Sequence, residues 1–310
     1  MKERLLALKV DVNTLRGTQR GVPALVDLFT RLGLRASFLF SLGPDNTGRA
    51  IRRVLRPDFL RKVRRTSVVS HYGLRTLSYG TLLPAPDIGR RCAHVLRATR
   101  DAGCEVGLHA WDHVEWQDKV RTSEPRWAEE RMRRAVSRFK DIFAELPHCM
   151  GAAGWQMNRH ALRLQQRLGF VWASDCRGTH PFVPVWDGEI VRCLQLPTTL
   201  PTLDELIGHS GHTAANADEP LLALTAERQT PQVFTLHAEL EGMKLMPLFE
   251  RLLIGWQAQG WTLVALGDLA ERLDIDALPR HELVYGEIIG RSGQVLQQGR
   301  EFLLPYKETL

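Results

Sequence analysis

The chain has 310 residues, of which 44% are hydrophobic and 25% are charged. This composition is that of an ordinary folded protein, and the length suffices for one large α/β domain or two small ones. The formal net charge of +6 favours an anionic partner or surface but does not by itself indicate a nucleic-acid-binding protein. The N-terminal apolar run stops at Asp11, so we expect a buried first strand and not a secretory leader or membrane span.

The cysteines are odd in number and include no CxxC pair: Cys92, Cys104, Cys149, Cys176 and Cys193. We therefore expect reduced thiols in a cytosolic compartment. No stretch of the sequence approaches the roughly 18 uninterrupted apolar residues that a membrane-spanning helix requires.

Apolar runs typical of strands alternate with stretches of helical periodicity along most of the chain. The predicted strands are 5–10, 36–42, 104–109, 171–175, 232–239 and the beginning of 261–273. The predicted helices are 22–34, 88–103, 127–146, 160–170, 246–260 and the end of 261–273. Repeated βα units predict a parallel sheet, either open or closed into a barrel. The stretch between the fourth and fifth predicted strands is interpreted as rich in loops.

The segment GLHAWDH carries His109 and His113, four residues apart. That spacing can place two imidazoles on one face of a helix around one metal ion, although a lone pair of this kind is usually not a metal site. A metal needs further ligands, and the strongest candidates are Asp11 and Asn13, which end the apolar run of LKVDVNT. Asp11 could alternatively cap the following helix.

A third polar cluster, His237 and Glu239, follows the apolar run of FTLHAELEG. All three clusters thus come at the carboxyl ends of predicted strands, where barrel enzymes build their active sites. Convergence of these groups predicts a metal-dependent hydrolase. Glu239 could instead be a solvated loop acid.

Residues 49–65 form a basic segment in which cations interleave with apolar side chains. Its candidate membrane-contact residues are Arg52, Arg53, Arg56, Arg61, Lys62, Arg64 and Arg65. A basic amphipathic stretch of this kind favours an anionic membrane surface. The alternatives are a solvated helix face bent at Pro57 and, less favoured, a nucleic-acid contact.

The sequence changes character from residue 274 onward. LVYGEIIGRSGQVLQQGREFLL predicts a β-hairpin that turns near Ser292 and Gly293. We interpret 274–310 as a C-terminal appendage that follows a domain spanning 1–273, with a covering or partner-binding role.

Several longer segments, taken together, resemble the polysaccharide deacetylase family. They are LKVDVNTLRGTQRGVPALVDL, SFLFSLGPDNTGR, EVGLHAWDHVEWQ, AAGW, SDCRG, LPTTLPTLDELIG and FTLHAELEG. The resemblance covers residues 6–272 and implies a metal-dependent N-deacylase with a distorted (β/α) barrel. The segments are most similar to members that remove formyl from a 4-formamido-arabinose linked to undecaprenyl phosphate, a step toward modified lipid A and polymyxin resistance. The alternative is a deacetylase acting on another N-acyl sugar.

The resemblance also implies a role for each polar residue of the clusters. The implied roles are general base for Asp11, general acid for His237, and metal ligand for Asn13, His109 and His113. Asp175 of SDCRG would orient His237 and favour its protonated form near neutral pH. The implied cofactor is one divalent metal ion, and His and oxygen ligands suit Zn, Mn, Co or Fe.

Position 13 departs from the family pattern, because family members commonly have aspartate where this chain has Asn13. An amide oxygen offers a metal only a dipole, whereas a carboxylate offers a full charge. A non-catalytic membrane- or sugar-binding protein with a degraded metal site is therefore a second class of hypothesis.

Three further residues are candidates for substrate binding: Arg177, Trp155 and Glu239. Arg177 could instead form a plain surface ion pair with Asp175, and Trp155 could belong to the core. The expected partners are the polyprenyl-phosphate-linked amino sugar and the inner face of an anionic cytoplasmic membrane, with no nucleic acid.

Overall fold

The computed structural model describes residues 3–50 and 73–303. Every arginine and lysine predicted above to contact a membrane lies outside the described residues. Within those residues, no helix is both long enough and apolar enough to cross a bilayer.

The strands and helices alternate along the described chain. The strands are β1 (Arg4–Val12), β2 (Ser37–Ser41), β3 (Glu105–Ala110), β4 (Cys149–Met150), β5 (Trp172–Ala173), β6 (Val183–Trp186), β7 (Glu189–Ile190), β8 (Leu194–Gln195), β9 (Gln232–His237), β10 (Trp261–Val264), β11 (Arg280–Glu287) and β12 (Gln294–Glu301). The α-helices are α1 (Val22–Leu32), α2 (Leu74–Ser78), α3 (Ile88–Asp101), α4 (His113–Lys119), α5 (Pro125–Phe143), α6 (Arg159–Arg167), α7 (Leu203–Leu206), α8 (Asp218–Ala226), α9 (Met246–Ala258) and α10 (Leu266–Ala270).

The main sheet has eight strands in the order β10-β1-β2-β3-β4-β5-β8, with β9 also paired to β1. Its ladders are parallel. The amides of Thr199 and Leu200, just after β8, donate to the carbonyl of Val233 on β9 at 3.1 and 3.3 Å. These bonds connect the two ends of the sheet, so the strands run around a distorted barrel. The predicted fold class is confirmed.

β1 shows how the strand periodicity positions the site. Leu6, Leu8, Val10 and Val12 belong to the large core cluster under the helices, together with Leu25 and Phe29 of α1. Leu5 and Ala7, on the opposite face, belong to the smaller cluster inside the barrel. Because side chains alternate along a strand, Lys9 and Asp11 also face the interior.

The C-terminal hairpin is present where the sequence predicts it, as antiparallel β11 and β12. β11 also pairs in parallel with β6, giving a second sheet in the order β12-β11-β6-β7. The amide of Arg177 donates to the carbonyl of Leu296 at 2.9 Å, and the amide of Gln298 donates to the carbonyl of Arg177 at 2.8 Å. The hairpin is thereby attached to the segment that follows β5.

The predicted strands and helices on either side of residues 176–231 are confirmed, with ends that differ by a few residues. Within that stretch, the expectation of loops missed β6, β7, β8, α7 and α8. These strands have two to four residues each, which is too short for an alternating pattern to show. Their pairing to other strands, and not their own sequence, makes them strands.

Candidate active site and metal centre

The structure brings Asp11 and His237 together across the ladder between β1 and β9, where they are register partners. Both lie at the carboxyl ends of their strands, and Asp11 is buried. Parallel strands place these ends at one edge of the barrel, so the two predicted proton-transfer residues share one site.

Asp11 lies between a cation and an imidazole. Its Oδ2 is 3.6 Å from Lys9 Nζ, and its Oδ1 is 3.6 Å from His109 Nδ1. Lys9 is completely buried, and its ammonium donates to the carbonyl of Ser174 at 2.9 Å. A buried ammonium is costly unless it is paired with a negative charge. The carboxylate of Asp11 supplies that charge, and Lys9 in turn compensates the negative charge of Asp11. Sequence reasoning missed Lys9, although a lysine inside the apolar run LLALKV was a usable signal.

His109 is held in the form that can bind a metal. Its Nδ1 lies 2.8 Å from the carbonyl oxygen of Gly151, to which it donates, so Nε2 carries the lone pair. Burial and the neighbouring Lys9 hold the pKa of His109 well below its ordinary value, which keeps the ring neutral. Among the described residues, His109 Nε2 has no hydrogen-bond partner although it is buried.

The side chains of Asn13 and His113 complete the candidate metal centre. Asn13 is buried, and its Oδ1 finds no hydrogen-bond partner within the described part of the chain. The rings of His109 and His113 stack with centroids 5.2 Å apart. Two imidazoles and an amide oxygen are donors that a divalent metal accepts, and unsatisfied buried atoms of this kind indicate a missing ligand. The residues present fit such an ion.

The two histidines do not share a helical face, and this correction follows from the local backbone. His109 lies on β3, whereas His113 is the first residue of α4. Asp112 caps that helix by accepting a hydrogen bond from the amide of Glu115. The strand ends and the helix begins within four residues, so the rings meet across a turn.

A second cluster of potential ligands lies at the other end of the barrel. Ligand atoms of Glu105, His148 and Cys149 fall within 4.8 Å of one another. Glu105 is the first residue of β3, so this cluster sits at the amino ends of the strands. Its carboxylate already accepts hydrogen bonds from the amide of Gly267 at 2.9 Å and from the Ser37 hydroxyl. The cluster is separate from the site around Asp11.

Asp204, and not Asp175, is the acid beside His237. Asp204 Oδ1 lies 4.0 Å from His237 Nδ1. Asp175 instead accepts hydrogen bonds from the amide of Ala152 and from the side chains of Gln165 and Gln195, at 2.7–2.9 Å. Burial raises the pKa of Asp175 despite these bonds. Asp204, and not Asp175, is therefore the candidate for the orienting role, and the sequence contains it within the quoted segment LPTTLPTLDELIG.

Glu239 is neither a solvated loop acid nor placed like a substrate contact. Its Oε1 accepts hydrogen bonds from the amides of Asn13 and Thr14 at 2.9 and 2.8 Å, and from the Thr14 hydroxyl at 2.9 Å. Burial raises the pKa of Glu239 to about 7. Glu239 therefore fixes the loop that carries Asn13.

Arg177 and Trp155 are buried at the edge of the site. Arg177 Nη1 contacts both oxygens of Glu205 at 2.6 and 2.9 Å, and its Nη2 donates to the carbonyl of Leu200 at 2.9 Å. The surface ion pair with Asp175 is thus wrong. Trp155 is 2% exposed, and its indole N–H donates to Thr198 Oγ1 at 3.2 Å. Burial to this degree excludes an open sugar-stacking platform on Trp155.

Comparison with known proteins identifies relatives of this chain. No family model matches the chain. A protein named probable 4-deoxy-4-formamido-L-arabinose-phosphoundecaprenol deformylase ArnD, from Shewanella sediminis, is 39% identical over 94% of each chain. One of the same name from Wigglesworthia glossinidia brevipalpis is 32% identical over 91% of this chain and 98% of its own.

The solved structures add the fold. A protein described as a polysaccharide deacetylase from Mycobacterium smegmatis superposes with a TM-score of 0.63 at 14% identity. That match covers 93% of this chain and 97% of the other. With the relatives above, it indicates an enzyme that hydrolyses an amide bond. The chain belongs to the family of 4-deoxy-4-formamido-L-arabinose-phosphoundecaprenol deformylases, within the polysaccharide deacetylase fold.

Proposed function

We propose that this chain hydrolyses the formamide of a 4-formamido-arabinose linked to undecaprenyl phosphate. The observation that carries the proposal is the register pairing of Asp11 with His237 beside the unsatisfied oxygen of Asn13 and nitrogen of His109. Family membership supports the sugar class, and the names of the relatives support the formyl group and the lipid phosphate. The free amino sugar would serve lipid A modification and polymyxin resistance.

Asn13, His109 and His113 are the residues that would hold one divalent metal ion. When bound, such an ion supplies Lewis-acid activation of water and of the amide carbonyl. Because Asn13 carries a neutral amide, the site has one negative charge fewer than it would have with an aspartate. Two imidazoles and an amide oxygen suit Zn, Mn, Co or Fe.

The chain's own residues divide the proton transfers. Asp11, whose Oδ2 lies 3.6 Å from Lys9 Nζ, takes the proton of the attacking water. His237 delivers a proton to the departing sugar nitrogen, so that an amine leaves and not an amide anion. Asp204 lies where a negative charge favours the protonated His237. Asp11 and His237 are register partners on adjacent parallel strands, so their side chains lie next to each other. Both can therefore reach a single formamide.

The experiment that tests the assignment combines turnover with metal content. His237→Ala should lower turnover of the lipid-linked formamido sugar by about 10²–10⁴-fold, as for loss of a general acid, while bound metal stays constant. Asp11→Asn should behave in the same way. His109→Ala is the contrasting variant, because it removes a ligand and should lower metal content and turnover together.

Three results would contradict the proposal. Loss of metal from His237→Ala would make His237 a ligand and not the acid. Turnover of an acetamido analogue at the rate of the formamido substrate would favour the alternative, a deacetylase of another N-acyl sugar. Absence of both metal and turnover in the unaltered protein would favour the non-catalytic class.

Membrane association is the remaining part of the proposal, and it rests on the basic segment 49–65. The substrate's polyprenyl chain requires the enzyme to work at the cytoplasmic face of the inner membrane. Binding to vesicles containing phosphatidylglycerol should weaken as salt rises. Equal binding to neutral phosphatidylcholine vesicles would contradict the electrostatic contribution.

A further inference from the structure

The turn between β11 and β12 packs directly against the edge of the site. Gly290 in this turn has φ of +86°, and a Cβ added there would lie 2.3 Å from the carbonyl oxygen of Glu205. Only glycine permits both this conformation and this approach. The next residue, Arg291, places its guanidinium 4.2 Å from the ring centroid of Trp155. The C-terminal hairpin therefore contributes a side chain to the site.

The charges around Trp155 do not balance. Glu205 accepts two short contacts from Arg177, at 2.6 and 2.9 Å, and only one longer contact from Arg291, at 3.3 Å. The carboxylate of Glu205 thus lies next to two guanidinium groups, and Arg177 already contacts both of its oxygens. Arg291 keeps a side-chain exposure of 12%. This arrangement leaves one net positive charge, with donors on Arg291 to spare.

Arg291 is joined to both proton-transfer residues by short chains of contacts. Trp155 lies between Arg291 and Lys9, whose Nζ is 5.4 Å from the indole centroid and 3.6 Å from Asp11. On the other side, Glu205 follows Asp204, which lies beside His237. The net positive charge is therefore close to the reacting groups but not among them.

The backbone at Trp155 is held in an uncommon conformation. Its φ is 52°, in the left-handed region that bulky side chains rarely adopt. Such outliers persist where surrounding contacts enforce them and cluster at functional sites. Here the hydrogen bond to Thr198 holds the ring in position, and Arg291 contacts its face.

We propose that Arg291 binds the phosphodiester of the substrate and that the C-terminal hairpin is part of the substrate site. The inference rests on the proposed function, in which the phosphate and the formamide occupy opposite positions of the sugar ring. A single phosphodiester charge matches the one net positive charge, and a guanidinium suits phosphate oxygens. The anion site must therefore lie about one sugar ring away from the reacting amide.

The exposed side chain of Ile289 indicates where the lipid part of the substrate would leave the site. It lies two residues before Arg291 and is 89% exposed. An isolated exposed apolar side chain needs no explanation by itself. Next to a phosphate site, it marks the side of the hairpin from which the polyprenyl chain would depart.

The test compares a substrate that carries the lipid phosphate with one that carries neither the lipid nor the phosphate. Arg291→Gln should raise KM for the lipid-phosphate-linked sugar about tenfold or more, with kcat nearly unchanged, since a charge-assisted hydrogen bond is lost. The methyl glycoside of 4-formamido-arabinose, which has no phosphate, should show no change. Arg291→Lys keeps the charge and should recover part of the affinity. Arg300→Gln is the matched control, because Arg300 is an 81% exposed arginine of the same hairpin.

An equal loss on both substrates would assign Arg291 a structural role through Trp155 and overturn the inference. A binding measurement separates failure of the phosphate-site inference from failure of the proposed function. The unaltered protein should bind farnesyl phosphate more tightly than farnesol, and Arg291→Gln should abolish the difference. Cleavage of neither sugar would refute the proposed function, whereas equal affinity for both farnesyl compounds would refute the phosphate site.

Discussion

Replacing Glu241 by glutamine should remove a large part of the pH dependence of stability. Glu241 is fully buried, and its Oε2 accepts the amide of His237 at 2.7 Å. Burial, with further contributions from Asp204 and Glu239, raises its pKa to about 8. The folded protein therefore holds a proton on Glu241 between about pH 4.5 and 8 that the unfolded chain releases.

The sign follows from proton linkage. Where the folded state binds more protons than the unfolded state, the free energy of unfolding falls as pH rises. Glu241 thus costs nothing below pH 4.5, becomes progressively destabilising through neutral pH, and levels off above about pH 8. At 1.36 kcal/mol per pKa unit, the full cost is at most about 5 kcal/mol. Glutamine keeps the acceptor for His237 and has no proton to lose.

The assay is urea unfolding of both proteins from pH 5 to 9, at constant ionic strength and equal metal content. The two stabilities should nearly coincide at pH 5, and Glu241→Gln should become the more stable protein by several kcal/mol at pH 9. Glu239, whose pKa is also raised, is present in both proteins and largely cancels from the difference. Parallel curves over the whole range would refute the assignment of a neutral buried Glu241.

Three further predictions concern the site itself. Asn13→Asp should bind Co²⁺ on the order of tenfold more tightly, or ~1.4 kcal/mol, because a full charge replaces an amide dipole; unchanged affinity on titration would show that position 13 is not a ligand. Gly17→Ala should displace Glu239, since the added Cβ would lie 2.2 Å from its Oε1. The substitution should cost about 1–3 kcal/mol of stability in urea unfolding and should lower turnover. Unaltered turnover would mean that Glu239 does not fix the Asn13 loop. Lys9→Met should destabilise by about 3–5 kcal/mol because it strips the partner from a buried Asp11; a neutral effect on thermal unfolding would place water, and not Lys9, next to the carboxylate.

Several features could be predicted from the sequence because they depend on local chemistry. Alternating apolar runs and helical periodicity predicted the strands and helices of the barrel. The positions of polar residues at strand ends indicated the candidate site residues Asp11, Asn13, His109, His113 and His237. The hairpin turn could be located near Ser292 and Gly293 from its glycines. Each of these is a property of a short window, where periodicity or turn chemistry is decisive.

The partners of these residues were decided by the tertiary structure. Asp204 displaced Asp175 beside His237, and Lys9 was found under Asp11, because barrel register joins residues that are far apart in sequence. Strands of two residues that the sequence did not predict, such as β7 and β8, exist only through their ladders. Arg291 reaches Trp155 because the C-terminal hairpin pairs with β6 and with the segment that follows β5. Sequence by itself thus determined the fold class and indicated the candidate site residues, while long-range packing determined which charge compensates which, since electrostatic pairing depends on distances that no local pattern contains.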